Sequence, residues 1–129
     1  MTEPSHPNKN AINWFEIPAS DFDRAVKFYN TIMNINMQVF PMGPAQMAFF
    51  PMESGSVGGA VVKQPGHEPG PHGPLVYLNV TGQFDQVLGR VENAGGKVVS
   101  PKRLVTEEIG YVASFIDTEG NQVAIHAPK

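Results

Sequence analysis

A segment dense in proline and glycine, Gln64-Pro-Gly-His-Glu-Pro-Gly-Pro-His-Gly-Pro74, divides the 129-residue chain nearly in half. Proline lacks the amide donor and glycine weakens both regular structures, so this stretch can be neither helix nor central strand. What lies on either side of it reads as the same plan twice. Each half opens with a short apolar strand and continues into an amphipathic helix. In the first helix Phe22, Ala25, Val26, Tyr29, Ile32 and Met33 recur at helical spacing, with Ser20 as the expected N-cap and Asp23 as its capping-box partner. In the second, Phe84, Val87, Leu88, Val91 and Ala94 recur in the same phase, and Gly95-Gly96 supplies a C-cap. The helices even share a start, Phe22-Asp23 and Phe84-Asp85, offset by 62 residues.

Three strand-like runs follow each helix. They are expected near Met37–Phe40, Gln46–Met52 and Val57–Lys63 in the first half. In the second they are expected near Lys97–Ser100, Tyr111–Asp117 and Gln122–Ala127, the last two joined by the turn Thr118-Glu-Gly-Asn121. The order is therefore βαβββ twice, a repeat of roughly 60 residues. The predicted fold is α+β: two βαβββ modules forming a curved, partly open, barrel-like sheet with the helices outside. A ferredoxin-like sandwich would need the order βαββαβ and accommodates three consecutive strands less well. The expected division is a loose tail over 1–10, a first module over 11–63, the linker over 64–74 and a second module over 75–127, all within one domain.

Composition narrows the function classes. A hydrophobic fraction of 41% and a net charge of −3 suit a soluble globular protein and give no basic footprint for nucleic acid or a membrane surface. No cysteine is present, which excludes disulfides, thiolate metal sites and thiol nucleophiles. No apolar run approaches the length of a membrane span, and Met1 to Asn10 lacks the apolar core of a signal peptide. The expected compartment is the cytoplasm. Neither a phosphate-binding glycine loop nor a nucleophile elbow is visible.

Three motifs resemble those of the vicinal oxygen chelate superfamily, which includes glyoxalases, bleomycin resistance proteins and ring-cleaving dioxygenases. Asp21-Phe-Asp-Arg-Ala-Val-Lys-Phe-Tyr29 resembles its first-helix motif. Asp117-Thr-Glu-Gly-Asn121 is similar to its last-hairpin motif, with threonine in place of proline. Ala94-Gly-Gly96 followed by Val98-Val99 is similar to the end of its second helix. Together they span Ala11 to His126. The resemblance implies a homodimer, and in metal-using relatives it implies His, Gln or Glu ligands on the opening and final strands of each half.

Those ligand positions carry no such side chains here. Seven residues before Asp21, as the family motif counts, stands Trp14. Strand alternation puts Phe15, Ile17 and Ala19 against the helix and Trp14, Glu16 and Pro18 in the hollow. The second half matches it with Val76, Leu78 and Val80 against Leu75, Tyr77 and Asn79. Leu75 then takes the ligand position of that half and Ala124 that of the last strand, while Val57–Val62 offers no donor at all. No metal and no other cofactor is expected.

The hollow is expected to contain Glu16 and His126, with Tyr77 and Asn79 opposite. A carboxylate beside an imidazole orients its tautomer, and three roles are open to such a pair: a structural hydrogen bond, a contact to a ligand whose flat part stacks on Trp14 and Tyr77, or proton transfer without a metal. The candidate ligand-binding residues are Trp14, Glu16, Leu75, Tyr77, Asn79, Ala124 and His126, with Glu16 and His126 as candidate catalysts. The expected function is binding of a small, partly apolar or aromatic molecule in the central cavity. The alternatives are a lactoylglutathione lyase-like lyase or isomerase using the Glu16–His126 pair, and a metal-dependent enzyme of the family. His6, His67 and His72 with Glu68 mimic a metal cluster, but they sit in flexible segments and read as solvated loop, the linker having the further possibility of acting as a lid.

Overall fold

The computed structural model describes residues 10 and 12–129 of the chain, so the expected tail lies, apart from Asn10, outside the described residues. The first half consists of β1 (Trp14–Pro18), α1 (Phe22–Met33), β2 (Gln38–Met42), β3 (Ala45–Phe49) and β4 (Gly58–Lys63). The second consists of β5 (Tyr77–Asn79), α2 (Phe84–Arg90), β6 (Lys97–Thr106), β7 (Gly110–Ile116) and β8 (Gln122–Ala127). Each half forms a four-stranded sheet of the same topology, β1-β4-β3-β2 and β5-β8-β7-β6. The opening strand of each half pairs parallel with the last strand, and the remaining pairs are antiparallel. Among the described residues no ladder joins the sheets, so the arrangement is open rather than a closed barrel. β1 and β5 are each left with one edge unpaired among the described residues.

The βαβββ order agrees with the sequence expectation, and the departures have identifiable causes. β6 runs to Thr106 rather than stopping near Ser100. Its pairing with β7 shifts register between Val98 and Ser100 and again between Ser100 and Arg103, so the ladder steps around Pro101 and resumes. An edge strand tolerates this, because the side facing away from β7 has no ladder to lose. The N-cap of α1 is Asp21, not Ser20: its Oδ1 accepts from the Arg24 amide at 3.1 Å. Ser20 is committed elsewhere, its amide and its hydroxyl both donating to Glu119 Oε1. α2 covers only seven residues, and the chain beyond it turns until Gly95, whose φ of +107° suits glycine.

Phe28 belongs to the core although it lies outside the apolar stripe read from spacing; it is 1% exposed. The reason is that α1 packs against both sheets. Tyr29 meets Phe50 of the first half with ring centroids 5.6 Å apart, while Phe28 meets Phe115 of the second at 5.7 Å. Facing two partners, the helix needs a wider apolar face than one sheet would require. The helices also touch, with Arg90 Nη1 donating to the Ile32 carbonyl at 3.1 Å. One apolar cluster therefore runs through both halves, from Ile17 and Val61 to Val123 and Ile125. Burying side chains of this size stabilises the fold by about 1.5–3 kcal/mol each.

Candidate functional site

Ladder register assigns every strand residue to a face. In the first sheet Trp14 lies beside Gly58 and Glu16 beside Ala60, Phe49 opposes both Ala60 and Gln38, and Met47 opposes Phe40. Residues so paired share a face, and this one is the face without the helix. It is aromatic at its rim and small at its centre. Trp14 and Phe49 meet edge to face with ring centroids 5.5 Å apart, and Phe49 lies 5.0 Å from Phe40. Gly58 keeps the floor low: a Cβ there would lie 3.1 Å from the indole of Trp14 and would run into Met52. Trp14 is 39% exposed and Phe40 43%, so these rings are not filling the core.

The helix-free face of the second sheet is polar. Arg103, Val112, His126 and Asn79 form one row across it, and Ser100, Ser114, Ala124 and Tyr77 form another. The alternation expected for β1 and for Tyr77 and Asn79 thus matches the observed register. Leu75 lies before β5 begins and is 40% exposed.

Glu16 and His126 have separate partners. Glu16 Oε2 accepts from Trp14 Nε1 at 3.2 Å, and its Oε1 lies 3.9 Å from Nδ1 of His67 in the linker. His126 Nε2 lies 2.6 Å from the Ile109 carbonyl, which can only accept, so Nε2 carries the proton. Among the described residues no hydrogen bond or ion pair joins Glu16 to His126. Asn79 is occupied locally, its Oδ1 accepting from the amide and hydroxyl of Thr81.

The imidazole nearest Glu16 is therefore that of His67, a residue expected from the sequence to lie in solvated loop. The linker is tied down, because the Gly70 amide donates to Asn121 Oδ1 at 3.0 Å, and Asn121 Nδ2 in turn donates to the Pro18 carbonyl at 2.7 Å. Between the linker, the end of β1 and the start of β8 lies a cavity of about 400 Å³. Its lining includes Glu16, His67, Glu68, His72 and Gln122. A second cavity of about 560 Å³ lies between β1 and β5, among Ile12, Phe15, Met33, Tyr77 and Leu78.

The other concentration of ionisable groups is the β7–β8 turn. Asp117 Oδ1 accepts from the amides of Glu119 and Asn121, and its Oδ2 accepts from the Tyr29 hydroxyl at 2.7 Å. Glu119, with its side chain fully buried, accepts from the Ser20 and Asp21 amides and from Arg24 at 2.7 Å. Burial would raise the Glu119 carboxyl, but the hydrogen bonds from Arg24, Asp21 and Thr118 and the Arg24 charge outweigh it and hold it at about 2. Burial, and then the Asp117 charge, push the Tyr29 hydroxyl well above its ordinary value. This turn binds the second half to the start of α1. Its residues stand out in the sequence as motifs, but nothing local to them indicates their partners.

Among the described residues no group of three or more His, Asp or Glu side chains gathers that could hold a metal ion. No described helix is long and apolar enough to cross a membrane.

The family model described as Glyoxalase/Bleomycin resistance protein/Dioxygenase superfamily matches residues 11–125. No curated protein matches the chain. Among solved structures, the chain is similar to a glyoxylase/bleomycin resistance protein/dioxygenase domain from Frankia sp. EAN1pec, with 13% identity and a TM-score of 0.70 over 95% of this chain and 94% of that one. It is similar to TnmS3, an antibiotic binding protein from Streptomyces sp. CB03234, with 24% identity and a TM-score of 0.68 over 96% and 100%. It is also similar to a mutant of the fosfomycin resistance protein FosX from Listeria monocytogenes, complexed with Mn(II) and dihydroxypropylphosphonic acid, with 13% identity and a TM-score of 0.65 over 92% of each chain.

Proposed function

Because the chain belongs to the glyoxalase/bleomycin resistance protein/dioxygenase superfamily, we propose that it binds a small, partly apolar or aromatic molecule without the family's metal. The observation that carries this reading is the aromatic cluster of Trp14 and Phe40, both exposed, with the half-buried Phe49 in contact with each, on a sheet face that no described helix covers. Exposed rings grouped on one face, beside small residues that leave room above them, suit stacking against a flat ligand. TnmS3 shares this fold and is an antibiotic binding protein, which supports binding as a use of the scaffold.

The donor set argues against a metal. Trp14, Leu75 and Ala124, the positions that the family resemblance gives to ligands, present an indole and two hydrocarbon groups. On β4 the helix-free face presents Gly58, Ala60 and Val62. None offers a lone pair that a divalent cation would take, so the residues do not fit a metal. The resemblance extends the reading to a homodimer, and the mild net charge of −3 to a protein with no nucleic-acid or membrane-surface partner.

A second reading, lyase or isomerase chemistry by Glu16 and His126, draws support from His126 alone. With Nε2 protonated and held by the Ile109 carbonyl, a neutral ring presents Nδ1 as a base without a partner among the described residues.

Trp14 is the sole tryptophan, so its emission reports on this face. Compounds of one to three aromatic rings are expected to shift that emission saturably and to raise the melting temperature. Absence of any saturable response across such a set would overturn the binding reading. Elemental analysis finding about one tightly held transition metal per chain would overturn its metal-free part.

A further inference from the structure

The two cavities differ in charge. Among the described residues, the larger, between β1 and β5, has Tyr77 as the one titratable residue in its lining and cannot select for ligand charge. The smaller is lined by two carboxylates, Glu16 and Glu68, and two histidines, with no lysine or arginine among the described residues. Its volume of about 400 Å³ lies within the range of small-molecule sites.

We infer that this linker-covered cavity receives the ammonium group of the ligand, seated against Glu16, with the ligand's aromatic part on the Trp14 face. The inference rests on the binding function proposed above and names the charge of what is bound.

Geometry favours Glu16 for this role. Its side chain is 31% exposed, enough to be reached and too little for full screening. Trp14 Nε1 holds Oε2 and so fixes the carboxylate beside the indole. Oε1 has no hydrogen-bond donor among the described residues: the nearest imidazole nitrogen, His67 Nδ1, is 3.9 Å away, beyond a hydrogen bond, and itself lies 3.4 Å from the Gln64 amide nitrogen. A carboxylate oxygen without a donor, at the wall of a cavity, is a place for an N–H of the ligand. The cover is built rather than incidental, since the linker is pinned at Gly70 by Asn121, a residue 5% exposed and itself anchored to the end of β1. An anionic ligand group would meet two carboxylates there.

The test compares three probes of one shape, phenethylamine, phenethyl alcohol and phenylacetate, by NMR titration at pH 7. The single indole N–H resonance, that of Trp14, follows each titration. The amine is expected to bind at least roughly tenfold more tightly than the alcohol, the scale of one charge-assisted hydrogen bond, with phenylacetate weakest. Glu16→Gln should bring the amine down to the level of the alcohol, with melting temperature confirming that the variant folds. Equal binding of amine and alcohol overturns the inference and leaves the aromatic reading standing, as does tightest binding by phenylacetate. If none of the three moves the indole resonance up to its solubility limit, the aromatic reading and the inference fall together. The comparison of probes on the natural chain decides the matter even if Glu16→Gln does not fold.

Discussion

The β7–β8 turn and the cavity beside β1 both depend on glutamates, and they use them in opposite ways. Glu119 sits with no solvent exposure of its side chain, and donors from Ser20, Asp21, Thr118 and Arg24 surround its two oxygens. Glu16 holds one donor, the indole of Trp14, and its other oxygen has none among the described residues. Nor does any buried side-chain N or O atom among the described residues lack a partner. A carboxylate whose hydrogen-bonding capacity is filled from within the chain stabilises the fold. One that is half filled at a cavity wall is available to something else. Residue type alone does not separate the two; the number of donors each one meets does.

The largest effect that would sharpen this contrast is expected from Glu119→Ala. It leaves the Ser20 and Asp21 amides without their shared acceptor, at a cost of about 2–4 kcal/mol from roughly 1–3 kcal/mol for each unsatisfied donor, while the Arg24 guanidinium, half exposed, turns to water. Denaturant unfolding measures it, and a loss below about 1 kcal/mol would show that the turn is not the fastening described here. The same carboxylate sets an acid dependence. Its folded pKa of about 2 lies below that of an unfolded glutamate, so its contribution is complete above about pH 4.5 and is lost as pH falls toward 2. Melting temperature should drop across that window in the natural chain and more gently in Glu119→Gln.

Tyr29→Phe comes next, removing one hydrogen bond to Asp117 while keeping the ring packed between the sheets, and is expected to cost about 1–3 kcal/mol. Near-neutral stability in this variant would mean that Asn121 Nδ2 alone satisfies Asp117 Oδ2. The smallest effect belongs to the other side of the comparison. Glu16→Gln should alter stability by no more than about 0.5 kcal/mol, as for an ordinary surface change. A loss several times that size would make Glu16 a second structural carboxylate and would break the contrast.

Much of the fold is legible in the sequence because its signals are local. The linker's prolines, the repeated Phe-Asp and the strand alternation each act within one element, and the observed topology and faces of β1 and β5 agree with them. Phe28 and Asp21 depart from expectation for the opposite reason. Phe28 is buried by a strand of the other half, and Asp21 caps α1 because Ser20 is drawn away by Glu119, 99 residues further on. The long β6 depends on a register step around Pro101 that no propensity describes.

The candidate site divides along the same line. That Trp14 and Glu16 share a face follows from the period of two in a strand, and the sequence by itself determines it. That no cysteine takes part, and that the positions of the family's ligands hold an indole, an isobutyl group and a methyl, is likewise written in the residues. The company Glu16 keeps was decided only by the tertiary structure. Glu16 and His126 lie on strands of different sheets, and how the halves pack gave each its own partner. The linker brought His67 to Glu16 because Asn121, 51 residues beyond Gly70, holds it across the cavity. Periodicity records what one element buries, and it carries no information about which distant segment will come to rest against it.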